Sequence, residues 1–180
     1  MNLKTFYFNP YRECTYILSD DKGLAIIIDA GMYDEREQER FAQYLMQNAL
    51  NPVALLITHA HPDHVCGVEY LERQYGLQAI IQPAEGLLAI PEMQVHIESI
   101  STPGHKEDAV CYYLPIEKML FTGDTLLQES IGRTDLPGGD MGTLIRSLNK
   151  LVLLPEDTQV YPGHGYPTNI AHEKMYNPYL

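Results

Sequence analysis

The stretch Val53-Ala54-Leu55-Leu56-Ile57-Thr58-His59-Ala60-His61-Pro62-Asp63-His64 decides the reading of this chain. Its first six residues are a short apolar run bounded by Pro52 and a polar cluster, the pattern of a buried β-strand. The metal-capable side chains that follow, His59, His61, Asp63 and His64, therefore fall on the loop at the strand's C-terminal edge, where α/β sheets usually build their sites. On a turn of this length His59 and His61 can face one way and Asp63 and His64 another. That spacing suits two metal ions better than one ion holding all four groups. A lone His-X-His on a surface usually means nothing. Four titratable groups on one loop repel one another and lose hydration, costs that a purely structural loop has no reason to accept.

Three later sites repeat the design. Thr102-Pro103-Gly104-His105 follows the alternation Val95-His96-Ile97-Glu98-Ser99-Ile100, Thr122-Gly123-Asp124 follows Met119-Leu120-Phe121, and Pro162-Gly163-His164-Gly165 follows Val160-Tyr161. Each puts one His or Asp just past a short strand and beside a Gly or Pro turn. His96 and His172 stand outside these motifs and read as ordinary strand or surface residues. Imidazole nitrogen with carboxylate oxygen suits zinc, and also iron or manganese, with no thiolate needed. Two such ions ~3.5–4 Å apart can share a water and lower its pKa towards neutrality, giving a metal-bridging hydroxide as nucleophile. The same ions polarise a carbonyl or phosphoryl oxygen, so the expected reaction is hydrolysis.

In this order, His-X-His-X-Asp-His, Gly-His, Gly-Asp and Gly-His resemble the metallo-β-lactamase superfamily, with the likeness running from Asn9-Pro10 to Asn177-Pro178. The resemblance implies an α/β fold, an αββα sandwich of two mixed β-sheets flanked by helices, with a two-metal site along one edge of the sheets. Carried over residue by residue, it assigns His59, His61 and His105 to the first metal and Asp63, His64 and His164 to the second. Asp124 bridges the two, and Asp63 and Asp124 are the carboxylates of the catalytic centre. The implied cofactor is a pair of divalent ions, zinc first, with iron or manganese as alternatives.

Two segments narrow the subgroup. Ser130-Ile131-Gly132-Arg133-Thr134-Asp135-Leu136-Pro137-Gly138-Gly139-Asp140 follows Asp124 closely, and the C-terminal part reads Tyr166-Pro167-Thr168, Glu173-Lys174 and Asn177-Pro178-Tyr179-Leu180. Both look like short bacterial glyoxalase II-like hydrolases, which lack the helical C-terminal domain of full-length hydroxyacylglutathione hydrolase. The implied activity is hydrolysis of a small thioester such as S-lactoylglutathione. Arg133 stands where that family carries a glutathione-contacting lysine, and a guanidinium can hold a substrate carboxylate bidentately. The alternative for Arg133 is a loop-ordering pair with Asp135 or Asp140. Tyr166 matches a glutathione-contacting tyrosine of the same family, with packing of a proline-flanked Tyr as its alternative.

The chain also departs from the pattern. The stretch between His64 and His105 is short, and Lys106-Glu107-Asp108-Ala109 follows His105 where relatives read Thr-Pro-Gly-Ser. The same Gly-Arg-Thr-Asp segment resembles persulfide dioxygenases, which hold a single iron with two His and one Asp, here His61, His105 and Asp124. A metal-binding protein without turnover is the third reading.

Length and composition set limits. At 180 residues the chain reads as one metallo-β-lactamase-like domain over residues 1–180. A formal net charge of −12 argues against a surface that tracks phosphates, so the expected partner is a small molecule and not nucleic acid. Cys14, Cys66 and Cys111 are odd in number with no Cys-X-X-Cys, which points to a reducing compartment. Cys14 and Cys111 read as core residues, while Cys66 either serves the second metal or simply opens a helix. No apolar stretch approaches ~20 residues, and the N-terminus lacks the apolar core of a signal peptide, so no membrane partner is expected and the cytoplasm is the expected location. No heptad pattern speaks to oligomeric state.

The remainder reads as scaffold. Phe6-Tyr7-Phe8, Thr15-Tyr16-Ile17-Leu18 and Leu24 to Asp29 look like strands, the last two joined by the turn Asp20-Asp21-Lys22-Gly23. Asp34 with Glu37 resembles a capping box whose helix buries Phe41, Tyr44, Leu45 and Ala49. Further helices are expected from Val68 to Tyr75 and from about Met141 to Leu151, the latter burying Leu144, Leu148 and Leu151.

Overall fold

Two mixed β-sheets organise the chain. In the computed structural model, which describes residues 1–180, they belong to two units, residues 1–81 with 90–94 and residues 82–89 with 95–180.

The first unit opens with β1 (Asn2–Phe8), β2 (Glu13–Ser19) and β3 (Leu24–Ile28), continues through helix α1 (Glu35–Gln47) to β4 (Asn51–Ile57), and then passes α2 (Pro62–Val65) and α3 (Val68–Tyr75) to β5 (Ala79–Ile81). The sheet order is β1-β2-β3-β4-β5. The first three strands pair antiparallel and the last three parallel. Burial explains the order. β2 is buried along its whole length and lies inside the sheet, whereas β1 alternates towards its end, with Phe6 and Phe8 inward and Tyr7 outward, as an edge strand does. Because β3 and β4 are parallel neighbours, Asp29 and Thr58 leave the sheet side by side, and the Asp29 amide donates to the Leu56 carbonyl at 2.9 Å.

Helix α1 begins at Asp34, whose side chain accepts from the Glu37 amide at 2.9 Å. Glu37 does not reach back to the Asp34 amide as a capping box would. It accepts instead from the amides of Tyr33 at 2.8 Å and Asn9 at 2.9 Å, tying the tip of the β1–β2 hairpin to the helix start. Phe41 and Leu45 are buried against Phe6, Phe8 and Ile17, as the spacing predicts. Burying Phe41 completely contributes roughly 1.5–3 kcal/mol. Ala49 is a correction. The helix stops at Gln47, and Ala49 lies beyond it, exposed and with φ +51°, while Leu50 packs against the core in its place. The chain must turn here, because β4 begins at Asn51, two residues after Ala49.

The second unit contains β6 (Gly86–Leu88), β7 (Ile97–Ser101), β8 (Val110–Leu114), β9 (Met119–Gly123), the small ribbon β10 (Leu126–Leu127) and β11 (Ser130–Ile131), helix α4 (Met141–Leu151), β12 (Gln159–Pro162), β13 (Thr168–Asn169) and helix α5 (Ile170–Tyr176). Its main sheet runs β13-β12-β9-β8-β7-β6. β12 lies parallel to β9, and β7 runs the same way as β9 because both are antiparallel to β8. The residues after β7, β9 and β12 therefore emerge at one edge of this sheet. Helix α4 starts at Asp140, which accepts from the Thr143 amide at 2.7 Å, and buries Leu144, Leu148 and Leu151 as expected. Gly104 permits this packing. It adopts φ +136°, and a Cβ there would stand 2.3 Å from the Leu144 amide nitrogen. Helix α5, too short for its periodicity to be read, closes the unit with a buried Glu173.

Candidate metal centre

In the first unit the loop after β4 carries His59, His61, Asp63 and His64, as expected. The His59 ring lies 4.8 Å from that of His61 and 4.2 Å from that of His64, centroid to centroid. The segment is not a simple turn: Pro62 to Val65 forms one turn of helix, with Pro at its first position, where the missing N–H costs nothing. His64 and His59 are buried, and Asp63 and His61 are partly exposed.

What orients these imidazoles is Asp29, which sequence reading took only as the end of a strand. It adopts φ +59°, and its carboxylate accepts from the Thr58 amide at 2.7 Å, from the Thr58 hydroxyl at 2.8 Å and from His64 Nδ1 at 2.9 Å. These partners assign the tautomers. Asp29 accepts, so His64 carries its proton on Nδ1 and presents Nε2 as the lone-pair nitrogen. The single Thr58 hydroxyl proton points at Asp29, so the 3.1 Å contact between Thr58 Oγ1 and His59 Nδ1 makes His59 the donor. A ligating His whose other nitrogen is held by a carboxylate is the usual arrangement behind a metal.

Glu13 is a second residue that sequence reading missed. It is wholly buried at the start of β2, with Oε2 accepting from the Thr15 hydroxyl at 2.8 Å and Oε1 3.9 Å from His64 Nδ1. Oε1 has no hydrogen-bond partner. Burial pushes the Glu13 carboxyl well above the usual glutamate range, opposed by the neighbouring His64 and reinforced by Asp29 and Asp63. One ligand-type atom from each of Glu13, Asp29 and His64 lies within 4.8 Å of the others. Cys66 is exposed, and its thiol donates to the Gly31 carbonyl at 3.2 Å. Partial burial pushes its pKa up to about 11, so it stays protonated at neutral pH. Cys14 and Cys111 are core residues, as expected.

In the second unit the three remaining candidates come together at the sheet edge. His105 Nε2 lies 3.5 Å and His164 Nε2 3.7 Å from Asp124 Oδ2. The parallel pair β9–β12 sets two of them: the Gly163 amide donates to the Gly123 carbonyl at 2.7 Å, so Asp124 and His164 depart from adjacent positions. His105 Nδ1 donates to the Arg133 carbonyl at 2.7 Å, which again fixes Nε2 as the lone-pair nitrogen. Gly132 packs against the same ring and against the Asp124 carbonyl.

The segment carrying Gly132 and Arg133 is held from its other side. The Glu173 carboxylate accepts from the Glu129 amide at 2.9 Å, the Thr168 hydroxyl at 2.6 Å and the Asn177 amide group at 2.8 Å. The Asn177 amide group also donates to the Ser130 carbonyl at 3.0 Å. The Glu173 and Asn177 seen in the C-terminal motif thus anchor the loop that orients His105.

The substrate candidates are surface groups. Arg133 forms a bidentate pair with Asp135, both contacts at 2.7 Å, and the guanidinium holds the Asp135 carboxyl down at about 2. Tyr166 is 71% exposed, so it is not packed as a core residue. His96 and His172 pair with Glu98 and Glu129.

Two segments of this chain, residues 11–99 and 82–164, match the family profile of the metallo-beta-lactamase superfamily. The chain belongs to the metallo-β-lactamase superfamily. Its mixed sheets flanked by helices are those of the metallo-β-lactamase fold expected from the sequence. It is similar to the probable metallo-hydrolase YqgX of Bacillus subtilis, 32% identical with 92% of this chain and 90% of that protein covered. The hydroxyacylglutathione hydrolase GloC of Haemophilus influenzae is 30% identical over 100% of this chain and 98% of its own. Among solved structures, the B3 metallo-β-lactamase BLEG-1 superposes with TM-score 0.92 at 31% identity, covering 99% of each chain. TTHA1623 in a di-iron-bound form gives TM-score 0.88 at 30% identity, covering 98% of this chain and 100% of that one. ETHE1 from Myxococcus xanthus gives 0.87 at 28%, covering 99% and 84%. Membership in the metallo-β-lactamase superfamily makes this a metal-dependent, hydrolase-type enzyme. No helix is long and apolar enough to cross a membrane.

Proposed function

We propose that this chain is a single-domain dinuclear metallo-hydrolase that cleaves a small acidic thioester, of the kind represented by S-lactoylglutathione. The observation that carries the proposal is the tautomer set. His64 and His105, on separate sheets, each give their Nδ1 proton to a fixed acceptor and so present Nε2 for ligation. The donor chemistry fits divalent ions: imidazole nitrogens and carboxylate oxygens, no thiolate, and buried groups whose hydration is already lost. His59, His61 and His105 would hold one ion, Asp63, His64 and His164 the other, and Asp124 both. Bound zinc would supply Lewis acidity and a water ionised near neutral pH. Zinc is the proposed metal, with iron or manganese as the alternatives.

The protein's own groups do the rest. Asp29 and Thr58 hold His64 and His59 in one tautomer, so no imidazole has to turn before ligating. Arg133 can exchange Asp135 for a substrate carboxylate, because the pair is exposed and worth little on the surface. That cation matters on a chain of net charge −12, which otherwise repels an anionic substrate. Tyr166, exposed beside His164 in sequence, is the second proposed substrate contact.

The test is metal analysis of protein purified without added metal, with S-lactoylglutathione hydrolysis assayed on the same sample. About two zinc-like ions per chain with turnover, both lost in Asp124→Ala, is the expected result. Metal retained and activity unchanged in Asp124→Ala would sink the bridging role. A mononuclear-iron persulfide dioxygenase is the second reading, favoured by Gly132-Arg133-Thr134-Asp135 after Asp124 and by the likeness to ETHE1. One iron per chain, oxygen consumption and no hydrolysis would replace the thioesterase with it. The expected location is the cytoplasm.

A further inference from the structure

A preformed cavity of about 300 Å³ lies wholly within the first unit, lined by Pro10, Tyr11, Tyr33, Pro62, Asp63 and Cys66 among others. We infer that it receives the substrate's acyl group, so that the preferred substrate carries a compact apolar or aromatic group on the carbon next to the scissile carbonyl. This rests on the thioesterase reading above and names the substrate class within it.

Continuity places the occupant. Asp63 is both a wall of this cavity and a proposed metal ligand, so a group seated here lies one side chain from the reacting centre. The walls select by chemistry. Two prolines, two tyrosine rings and a thiol line the space, and no Lys or Arg does. The carboxylate-bearing thiol half of the substrate would therefore find no cationic side chain in these walls, which favours the acyl group as the occupant. The cation proposed for that half, Arg133, belongs to the other unit.

Size gives the class. At ~30 Å³ per water the cavity has room for about ten, which is more than a methyl-bearing lactoyl group fills and enough for a phenyl-sized group. Tyr11 and Tyr33 are 74% and 68% exposed, and they flank one cavity beside a donor loop. Exposed aromatic side chains gathered at one cavity mark a binding site more often than scattered apolar residues do.

The cavity is also built rather than incidental. Asn9 adopts φ +50° and Arg12 φ +57°, left-handed conformations that cost energy in residues with a Cβ. A set of hydrogen bonds holds them, with the Arg12 amide donating to the Asn9 carbonyl at 3.1 Å. The Asn9 amide donates to the Glu37 carboxylate, its side-chain amide donates to the carbonyls of Gly31 and Asp63 at 3.0 Å each, and its Oδ1 accepts from the Tyr11 amide at 3.0 Å. The Cys66 thiol meets the same Gly31 carbonyl. The hairpin tip and the donor loop are thereby locked together with the cavity between them, so little ordering is needed when a ligand enters.

The experiment compares two thioesters of the same thiol that differ only in the group at issue, S-mandeloylglutathione (phenyl) and S-lactoylglutathione (methyl), on the metal-loaded full-length chain. The expected kcat/KM ratio is about tenfold or more in favour of the phenyl compound. The double variant Tyr11→Ser/Tyr33→Ser, with unchanged metal content, should lower that ratio about tenfold. A ratio near one in the parent protein, or a ratio the double variant leaves alone, overturns the inference. A second readout needs no turnover: titration with benzyl alcohol, a neutral aromatic, followed by amide chemical shifts. Saturable shifts at Asn9, Tyr33 and Cys66 are expected in the parent and lost in Tyr33→Trp, which fills the cavity. If neither thioester is hydrolysed, the thioesterase reading fails and this titration alone decides the pocket. Saturable shifts then support an apolar binding site, and their absence overturns it.

Discussion

An alanine at position 132 would place its Cβ 2.0 Å from the Asp124 carbonyl oxygen and 2.8 Å from His105 Nδ1. Carbon and oxygen normally approach no closer than about 3.3 Å, so one side must give by about 1.3 Å. Neither can do so cheaply. Asp124 follows Gly123, whose carbonyl already accepts from the Gly163 amide at 2.7 Å. The loop bearing residue 132 is anchored behind by Glu173 and Asn177. The displacement therefore falls on the 2.7 Å bond from His105 Nδ1 to the Arg133 carbonyl. Overpacking of this kind costs about 1–3 kcal/mol, which in a chain of this length lowers Tm by roughly 3–10 °C. Loss of the group that orients a ligating His costs about 10–100-fold in metal affinity. Gly142→Ala is the control: its Cβ meets only side-chain atoms, at 3.6 and 3.7 Å, and should raise Tm slightly through helix propensity. Calorimetry of the metal-free protein and competition against a chromophoric chelator measure the two effects. Gly132→Ala with the parent's Tm and the parent's affinity would refute the claim that this loop is clamped against His105.

Three further outcomes follow from named contacts. Asp29→Asn puts an amide donor within reach of the proton on His64 Nδ1, so metal stoichiometry should drop towards one, with affinity for the ion held by His64 reduced about 10–100-fold in chelator titrations; two tightly held ions would count against Asp29 as the orienting group. Glu13 has a folded-state pKa raised above its unfolded value, so its protonated form contributes stability that is fully present below the ordinary glutamate pKa and is lost as pH rises through the raised value. Urea midpoints of the metal-free protein should therefore fall as pH rises above the ordinary glutamate range in the parent and fall less in Glu13→Gln; parallel profiles would contradict this. Arg133→Ala should leave Tm almost unchanged, because its pair with Asp135 is exposed, and should raise KM while sparing kcat; an unchanged KM would remove Arg133 from the substrate contacts.

The fold and the strand-end positions of the candidate donors were legible because each is a local signal. A short apolar run ending in His or Asp beside a turn names both a strand and what hangs from its end, and the runs before His59, Asp124 and His164 all became strands. Helix α4 was legible from Leu144, Leu148 and Leu151, which repeat at helical spacing. What supports the donors was not legible. Asp29 meets His64 across 35 positions, and the Arg133 carbonyl meets His105 across 28, contacts that exist only once strands are paired. Glu13 begins an unbroken buried strand, where nothing nearby marks a carboxylate that faces a histidine. Ala49 was misplaced because an apolar residue at helical spacing gives no sign that the helix has ended, and the left-handed turn there carries no glycine.

The anchoring of the 129–133 loop by Glu173 and Asn177 has a consequence for the order of events on the ribosome. His59, His61, Asp63 and His64 emerge while more than half the chain is still unsynthesised, and at ~5–20 residues per second the first sheet has seconds to form around them. His105 and Asp124 follow, but nothing yet holds the Arg133 carbonyl against the His105 imidazole. That support arrives only when helix α5 has been made and has docked. The nascent protein thus passes through a stage in which one set of imidazoles is already oriented and the other still turns freely. Commitment of the second set waits for helix α5 to be translated.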